Sequence, residues 1–297
     1  MINKIYSTLK KNQLTYGLGI VINIIFHNLV MDSFRYLRYL LIKLKLLKNT
    51  PYQKIEMFKD IHKGKRCFIV ATGPSLTFDD LSLLKDEFCF SVNSIIKTFN
   101  QTEWRPTYYG IQDANVYEKL EEEIRSSDLG TIFVGHQMTT QFSIPHNYIP
   151  YFHFTCFHGR HRELVPRTTG FSNDASKIVH DGYSVTYSML QLAVYMGFSE
   201  IYLLGTDCNY SKHGKQHFVA SGWKDKNAAS VGELMIYAFS IAKKYADKNG
   251  VKIFNATRGG MLEVFDRVDL CSMFLNQRAN QWLVDENALS TKATRKK

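Results

Sequence analysis

The residues best suited to chemistry in this 297-residue chain are few and lie far apart in sequence. Thr72-Gly73-Pro74-Ser75 makes a small polar turn directly after the apolar run Arg66–Val70, and Thr77 with Asp79 and Asp80 then reads as a helix start. A strand, a glycine turn and a helix amino terminus aim backbone N–H groups at one point, where a phosphate or another anion can be held. The turn has neither the G-x-G-x-x-G spacing of a dinucleotide fingerprint nor the G-K-[ST] of a P-loop, which removes both of those readings. Ser184 and Thr186 mark a second helix start, where a hydroxyl either caps the helix or faces an anion. His217 titrates near neutrality by default and suits a general base; Asp113 competes for that role, and Asp207 is a weaker third. Asn93, Asp113, Asp207 and Asn255 each close an apolar run. No D-x-D occurs, and the nearest approach, Asp207-Cys208-Asn209, offers an amide where a second carboxylate would serve a divalent ion. No metal cofactor is therefore expected. His158, Arg160, His161 and Arg162 suit a mobile cationic lid over an anionic group, with an ordinary solvated loop as the alternative.

Positioning these residues falls to a regular alternation of elements. Strands are expected at Arg66–Val70, Phe88–Asn93, Tyr108–Asp113, Thr131–Val134, Glu200–Gly205 and Val251–Asn255. Helices are expected at Val116–Arg125, Tyr187–Met196 and Glu233–Asp247. This pattern predicts an α/β fold, a doubly wound and mostly parallel Rossmann-like sheet whose ligand groups gather at the strand carboxyl ends. The expected organisation is a basic, apolar helical extension over 1–63, the Rossmann-like domain over 64–280 and a basic tail over 281–297.

Charge and composition narrow the partners. Residues 1–66 carry 13 Lys/Arg against 3 Asp/Glu and so supply the whole net charge of +10, while residues 67–291 stand at −4. A protein that grips nucleic acid through its main domain concentrates basic charge there, so nucleic acid is excluded as a partner. The five cysteines are odd in number and widely spaced, without C-x-x-C, as in a reduced cytosolic protein. Residues 15–31 form the most apolar run, but it is short of the ~20 residues a spanning helix needs and contains Asn23, His27 and Asn28. No small-residue cleavage site follows it, so a cleavable signal peptide is not expected. Residues 32–48 then interleave aromatics and leucines with Arg and Lys, which suits a helix lying on an anionic membrane surface. A helical extension packed on the main domain or on a second subunit is the alternative.

Taken in order, several segments resemble the MptE-like (6-hydroxymethylpterin diphosphokinase-like) family of Rossmann-type domains across roughly residues 64–270. They are the Thr72–Leu76 turn, the strands ending at Asn93 and Asp113, and Asp181-Gly182-Tyr183-Ser184-Val185-Thr186. Gly197–Asp207, Gly214-Lys215-Gln216-His217 and Asn255–Gly260 complete the series. The same order is similar to bacterial lipo-oligosaccharide sialyltransferases and to Maf flagellin glycosyltransferases. In those enzymes a Gly-Pro-Ser turn and a strand-end Asn meet the nucleotide, and a Ser/Thr-rich helix start holds its phosphate or the sugar carboxylate. The resemblance implies that Thr72, Gly73, Pro74, Ser75, Asn93, Ser184, Thr186 and Asp207 bind the nucleotide or donor, with His217 or Asp113 catalytic. It departs at one place: the sialyltransferase base stands just before the helix expected at 233–247, where this chain has Asn227-Ala228-Ala229-Ser230. The implied activity is a metal-independent glycosyltransferase of bacterial surface polysaccharide or glycan assembly. Its donor would be nucleotide-activated, of the CMP-nonulosonate (sialic-acid) type, and its acceptor a glycan or a lipid-linked glycan. It would work in the cytoplasm or peripherally on the inner face of the membrane, with self-association left open. An ATP-dependent pterin diphosphokinase-like enzyme and a non-catalytic nucleotide-binding scaffold are the competing readings.

Overall fold

Apolar runs of four or five residues, separated by longer amphipathic segments, fold here as a parallel sheet covered on both faces. The computed structural model describes residues 32–44, 46–47, 50–154, 169–209, 217–219 and 228–275, together with Leu18 and Ile22. The strands are β1 (Arg66–Val70), β2 (Cys89–Val92), β3 (Tyr108–Ile111), β4 (Thr131–Gly135) and β5 (Ile149–Tyr151). They continue with β6 (His153–Phe154), β7 (Val179–His180), β8 (Glu200–Leu204), β9 (Lys252–Asn255) and β10 (Asp266–Arg267). The helices are α1 (Asp32–Lys43), α2 (Phe78–Leu83), α3 (Ala114–Ser126), α4 (Met138–Gln141), α5 (Val185–Tyr195) and α6 (Ala228–Asn249). Eight strands form one sheet in the order β10-β9-β8-β1-β2-β3-β4-β5, while β6 and β7 make a separate pair. All pairings are parallel.

The chain steps outward from β1 to β5, then returns to the other side of β1 with β8 and continues to β10. The fold is thus a doubly wound α/β sheet of Rossmann-like type. Its direction reverses between β1 and β8, and the crevice beyond the carboxyl ends of those strands is where such sheets bind ligands.

Alternation along the strands divides the core in two. Cys67, Ile69, Phe90, Val92, Ile201 and Leu203 face α5 and α6. Phe68, Val70, Tyr109, Ile111, Tyr202 and Leu204 face the opposite way, with Leu81 of α2 and Tyr117, Leu120 and Ile124 of α3. The α3 residues recur at i, i+3 and i+7, an apolar stripe on an otherwise charged helix. α5 is predominantly apolar and is buried from Val185 to Ala193, with Ser188 and Gln191 hydrogen-bonded within. Packing also extends upstream of β1. Ile55, in a 3₁₀ segment over Pro51–Phe58, belongs to the first core cluster, and His62 Nε2 lies 2.6 Å from the Tyr108 hydroxyl beneath the sheet.

The observed boundaries differ from expectation for local reasons. β2 stops before Asn93 because that residue adopts φ +49° and turns the chain out of the ladder. β3 stops before Gln112 and Asp113 because Asp113 leaves the strand to cap α3. β5 was not legible as a strand: it is three residues long and contains Pro150, which only an edge position tolerates. Cys67, Cys89 and Cys208 are buried free thiols and Cys271 is an exposed one; Cys156 lies outside the described residues. Among the described residues, no helix is long and apolar enough to cross a membrane.

Candidate functional site

A cavity of about 250 Å³ opens at the carboxyl ends of β1, β2, β3 and β8, bounded by the amino-terminal turn of α5 and by Val231 and Met235 of α6. It sits at the switch point of the sheet. Thr72, Gly73, Pro74, Asn93, Asp113, Ser184, Thr186, Asp207 and His217, all singled out from sequence, line this one space. Ser75 does not line it, and its hydroxyl donates to Asp207 Oδ2 at 2.9 Å. His158, Arg160, His161 and Arg162, expected as a lid, lie outside the described residues.

The turn after β1 is shaped by its neighbour after β8. The Gly73 N–H donates to the Gly205 carbonyl at 2.9 Å. A Cβ at position 73 would stand 1.9 Å from Asp207 Oδ2 and 2.3 Å from that same carbonyl. Gly205 itself has φ +60°, which glycine adopts at no steric cost. In the structure the Gly73 N–H and the Ser75 hydroxyl join the two strand-end loops. The Asp207 carboxyl is held between them, and burial raises its proton affinity against the opposing hydrogen bonds from Ser75.

Strain gathers on the same wall. Only four described non-glycine residues have positive φ, and three of them, Asn93 (+49°), Tyr183 (+64°) and Cys208 (+51°), line the cavity. Sparse conformations of this kind cost of order 1–3 kcal/mol each and collect where a site demands them. Tyr183 is held by Asp181, whose Oδ1 accepts the Tyr183 N–H at 2.9 Å. Asn93 accepts the Tyr109 hydroxyl on its backbone carbonyl at 2.7 Å, yet its side-chain Oδ1 is buried with no hydrogen-bond partner among the described residues. Hydrogen-bonding capacity is thus left over at the β2 end, which is uncommon for a buried group.

Two helix starts at the cavity are capped by side chains. Ser184 Oγ accepts the Thr186 N–H at 3.2 Å, so the positive end of α5 meets the cavity through Tyr183–Thr186. Asp113 Oδ1 accepts from the Asn115 and Val116 amides at 2.8 and 3.2 Å, which places this carboxylate at the cavity edge as a helix cap. Burial lowers the proton affinity of His217, and a hydrogen bond to the Thr72 backbone partly restores it. Because that bond favours the charged form, its acceptor is the Thr72 carbonyl, and the imidazole is neutral at pH 7.

Sequence reasoning missed several lining residues. Gln112 accepts the Tyr151 hydroxyl at 2.9 Å and the Ser188 hydroxyl at 2.7 Å on Oε1, which fixes its amide between β3, β5 and α5. Its place beside Asp113 at the same strand end was the available signal. Lys119 follows Val116 by three residues and so shares its helix face, which brings a cation to the wall. Asn255, by contrast, stands away from the cavity: its Nδ2 donates to the Leu262 carbonyl at 2.6 Å and its Oδ1 accepts the Thr257 N–H at 3.0 Å. Among the described residues, no three of His, Cys, Asp and Glu stand together as a metal site.

A Maf glycosyltransferase from Magnetospirillum magneticum AMB-1 aligns with 75% of this chain and 38% of its own length, at 16% identity and a TM-score of 0.46. The present chain thus spans well under half of that protein. No curated protein matches. Residues 42–213 match the family described as 6-hydroxymethylpterin diphosphokinase MptE-like. That match runs from upstream of β1 through the loop after β8 and takes in every cavity residue named above except His217 and the α6 pair. Since it covers more than half of the 297 residues, the chain belongs to the MptE-like family.

Proposed function

We propose that this protein transfers a sugar from a nucleotide-activated donor, of the CMP-nonulosonate type, to a hydroxyl of a bacterial surface glycan or its lipid-linked precursor, without a metal cofactor. The observation that carries the reading is the convergence of nine sequence-selected residues on one cavity at the switch point of the sheet. Glycosyl transfer needs a cradle for the departing phosphate, a base for the acceptor hydroxyl and exclusion of water. In this reading the positive end of α5 faces the phosphate, and the acceptor oxygen attacks the anomeric carbon. The bond from that carbon to the phosphate oxygen breaks with its electron pair leaving on the nucleotide, and the acceptor proton passes to His217. A neutral imidazole held by the Thr72 carbonyl suits that transfer.

The description of the matched family favours a second reading, an ATP-dependent diphosphokinase acting on a pterin. Thermal shift of the purified chain with CMP, CDP, UDP, GDP and ATP, each with and without Mg²⁺, separates the two. The expected result is stabilisation by CMP that is indifferent to Mg²⁺. Stabilisation only by ATP with Mg²⁺ would establish the diphosphokinase instead, and silence across the panel would leave a scaffold.

A further inference from the structure

Large apolar side chains exposed to solvent are concentrated at one end of this molecule. Of the nine described that are more than half exposed, Leu18, Ile22, Phe34, Leu37, Leu44 and Leu46 all fall within residues 18–46. At ~100° per residue, Phe34, Leu37 and Leu44 project within about 80° of one another, along α1 and just past its end. Leu18 and Ile22 are spaced i, i+4 and repeat the arrangement upstream. Soluble domains scatter such residues singly; a run of them marks a surface that something covers.

The charge of the same segment says what covers it. Residues 1–48 carry eight Lys/Arg and a single acidic residue, Asp32, whereas residues 67–291 are net negative. A second copy docking through this face would bring two strongly basic segments together. An anionic surface gains from the segment, whereas it repels the net-negative stretch 67–291, which also fixes how the molecule stands on it. α1 is no loose tail. The Arg38 guanidinium donates to the Tyr52 hydroxyl at 3.1 Å and lies 5.4 and 5.2 Å from the ring centres of Tyr52 and Phe152. Both rings are buried, so the helix is tied to the domain next to β5 and β6.

We propose that α1 and the residues flanking it form a docking surface for an anionic lipid bilayer. The apolar side chains enter the boundary between headgroups and acyl chains, and the net basic charge of residues 1–48 draws the segment to the lipid phosphates. This inference is independent of the sugar-transfer reading, since no residue in it touches the cavity.

Flotation of the full chain with vesicles of phosphatidylcholine, alone or mixed with phosphatidylglycerol, tests it. The expected result is binding to the anionic vesicles only, weakened by raised salt. Phe34→Ser with Leu37→Ser should lower that partition by roughly tenfold or more, because two apolar side chains no longer enter the boundary. Both positions are exposed, so the melting temperature of the double variant should equal that of the parent, which controls for folding. Absence of binding to anionic vesicles, or equal binding by the double variant, would overturn the proposal. A concentration-dependent dimer that the double variant abolishes would also overturn it and assign the face to a second copy.

Discussion

Asn93 and Asn255 each stand where a parallel strand of the sheet ends, and as residue types in a pattern they are indistinguishable. Asn255 closes β9 fully buried, with its amide donating to Leu262 and accepting from Thr257. The loop it starts is tied down at several points. Thr257 Oγ1 accepts the Thr206 N–H at 3.1 Å, and Arg258 spans both carboxylate oxygens of the buried Asp80 at the head of α2. Asn93, three strands away, has a left-handed backbone and a side-chain carbonyl with nothing to accept among the described residues. The difference teaches where stability and function part. At the β9 end bonding capacity is spent on holding the loop that packs Gly260 and the Met261 N–H against Asp207. At the β2 end capacity is left over, and the fold carries the strain.

The largest effect expected from this contrast is on turnover. His217→Ala should lower kcat by about 10²–10⁴-fold if the imidazole takes the acceptor proton, with little change in melting temperature or donor affinity. The pH profile sharpens the test. Burial holds the His217 proton affinity below its ordinary value of 6.5, and the base works when neutral. Activity should therefore fall as pH drops through a value below 6.5, and the variant should lose that acid limb. Unaltered turnover would transfer the role to Asp113. A melting temperature lowered as far as by a change in the β9 loop would mean that the cleft is as structural as its support.

Next in size is Asn255→Ala, which removes both partners of a buried pair of backbone groups. The Leu262 carbonyl and the Thr257 N–H would each be left unmet at about 1–3 kcal/mol. A total near 3 kcal/mol would lower the melting temperature by roughly 6–12 °C for a domain of this size. Calorimetry checks this directly. Nucleotide binding should weaken only secondarily, as the Asp207 loop loosens; weakened binding without a stability loss would break the comparison from the other side.

How much of this was legible in the sequence depends on range. β1 and β8 could be read because four or five apolar residues ending in a polar one leave little choice for a buried parallel strand. The same reading brought Thr72, Asn93, Asp113 and Asp207 to one cavity, because parallel strands send all their carboxyl ends to one edge. What could not be read is how those groups use their hydrogen bonds. Gly73 looked like a ligand turn, and its glycine is required by contact with Gly205 and Asp207, more than 130 residues on. The Arg258–Asp80 pair closes across 178 residues with no local trace. Gln112 and Tyr183 matter through a side-chain network and a backbone angle that composition does not encode.

The smallest effect is the most discriminating. Glycine accepts φ +49° without a Cβ clash, so Asn93→Gly keeps the backbone and deletes only the unmet carbonyl and its amide. Removing a buried unsatisfied group favours the fold, while the added freedom of glycine in the unfolded chain opposes it by a similar ~1 kcal/mol. The melting temperature should stay within a few degrees of the parent. Nucleotide affinity should fall about tenfold, the worth of one hydrogen bond of ~1.4 kcal/mol to the ligand. Asn93→Ala should lose the same affinity and in addition some 1–2 kcal/mol of stability, because alanine lacks the tolerance of asparagine for this conformation. The gap between the two variants in urea denaturation then measures the strain at this strand end. If Asn93→Gly instead unfolds as readily as Asn255→Ala, the side chain is holding the loop, and the two asparagines do the same work.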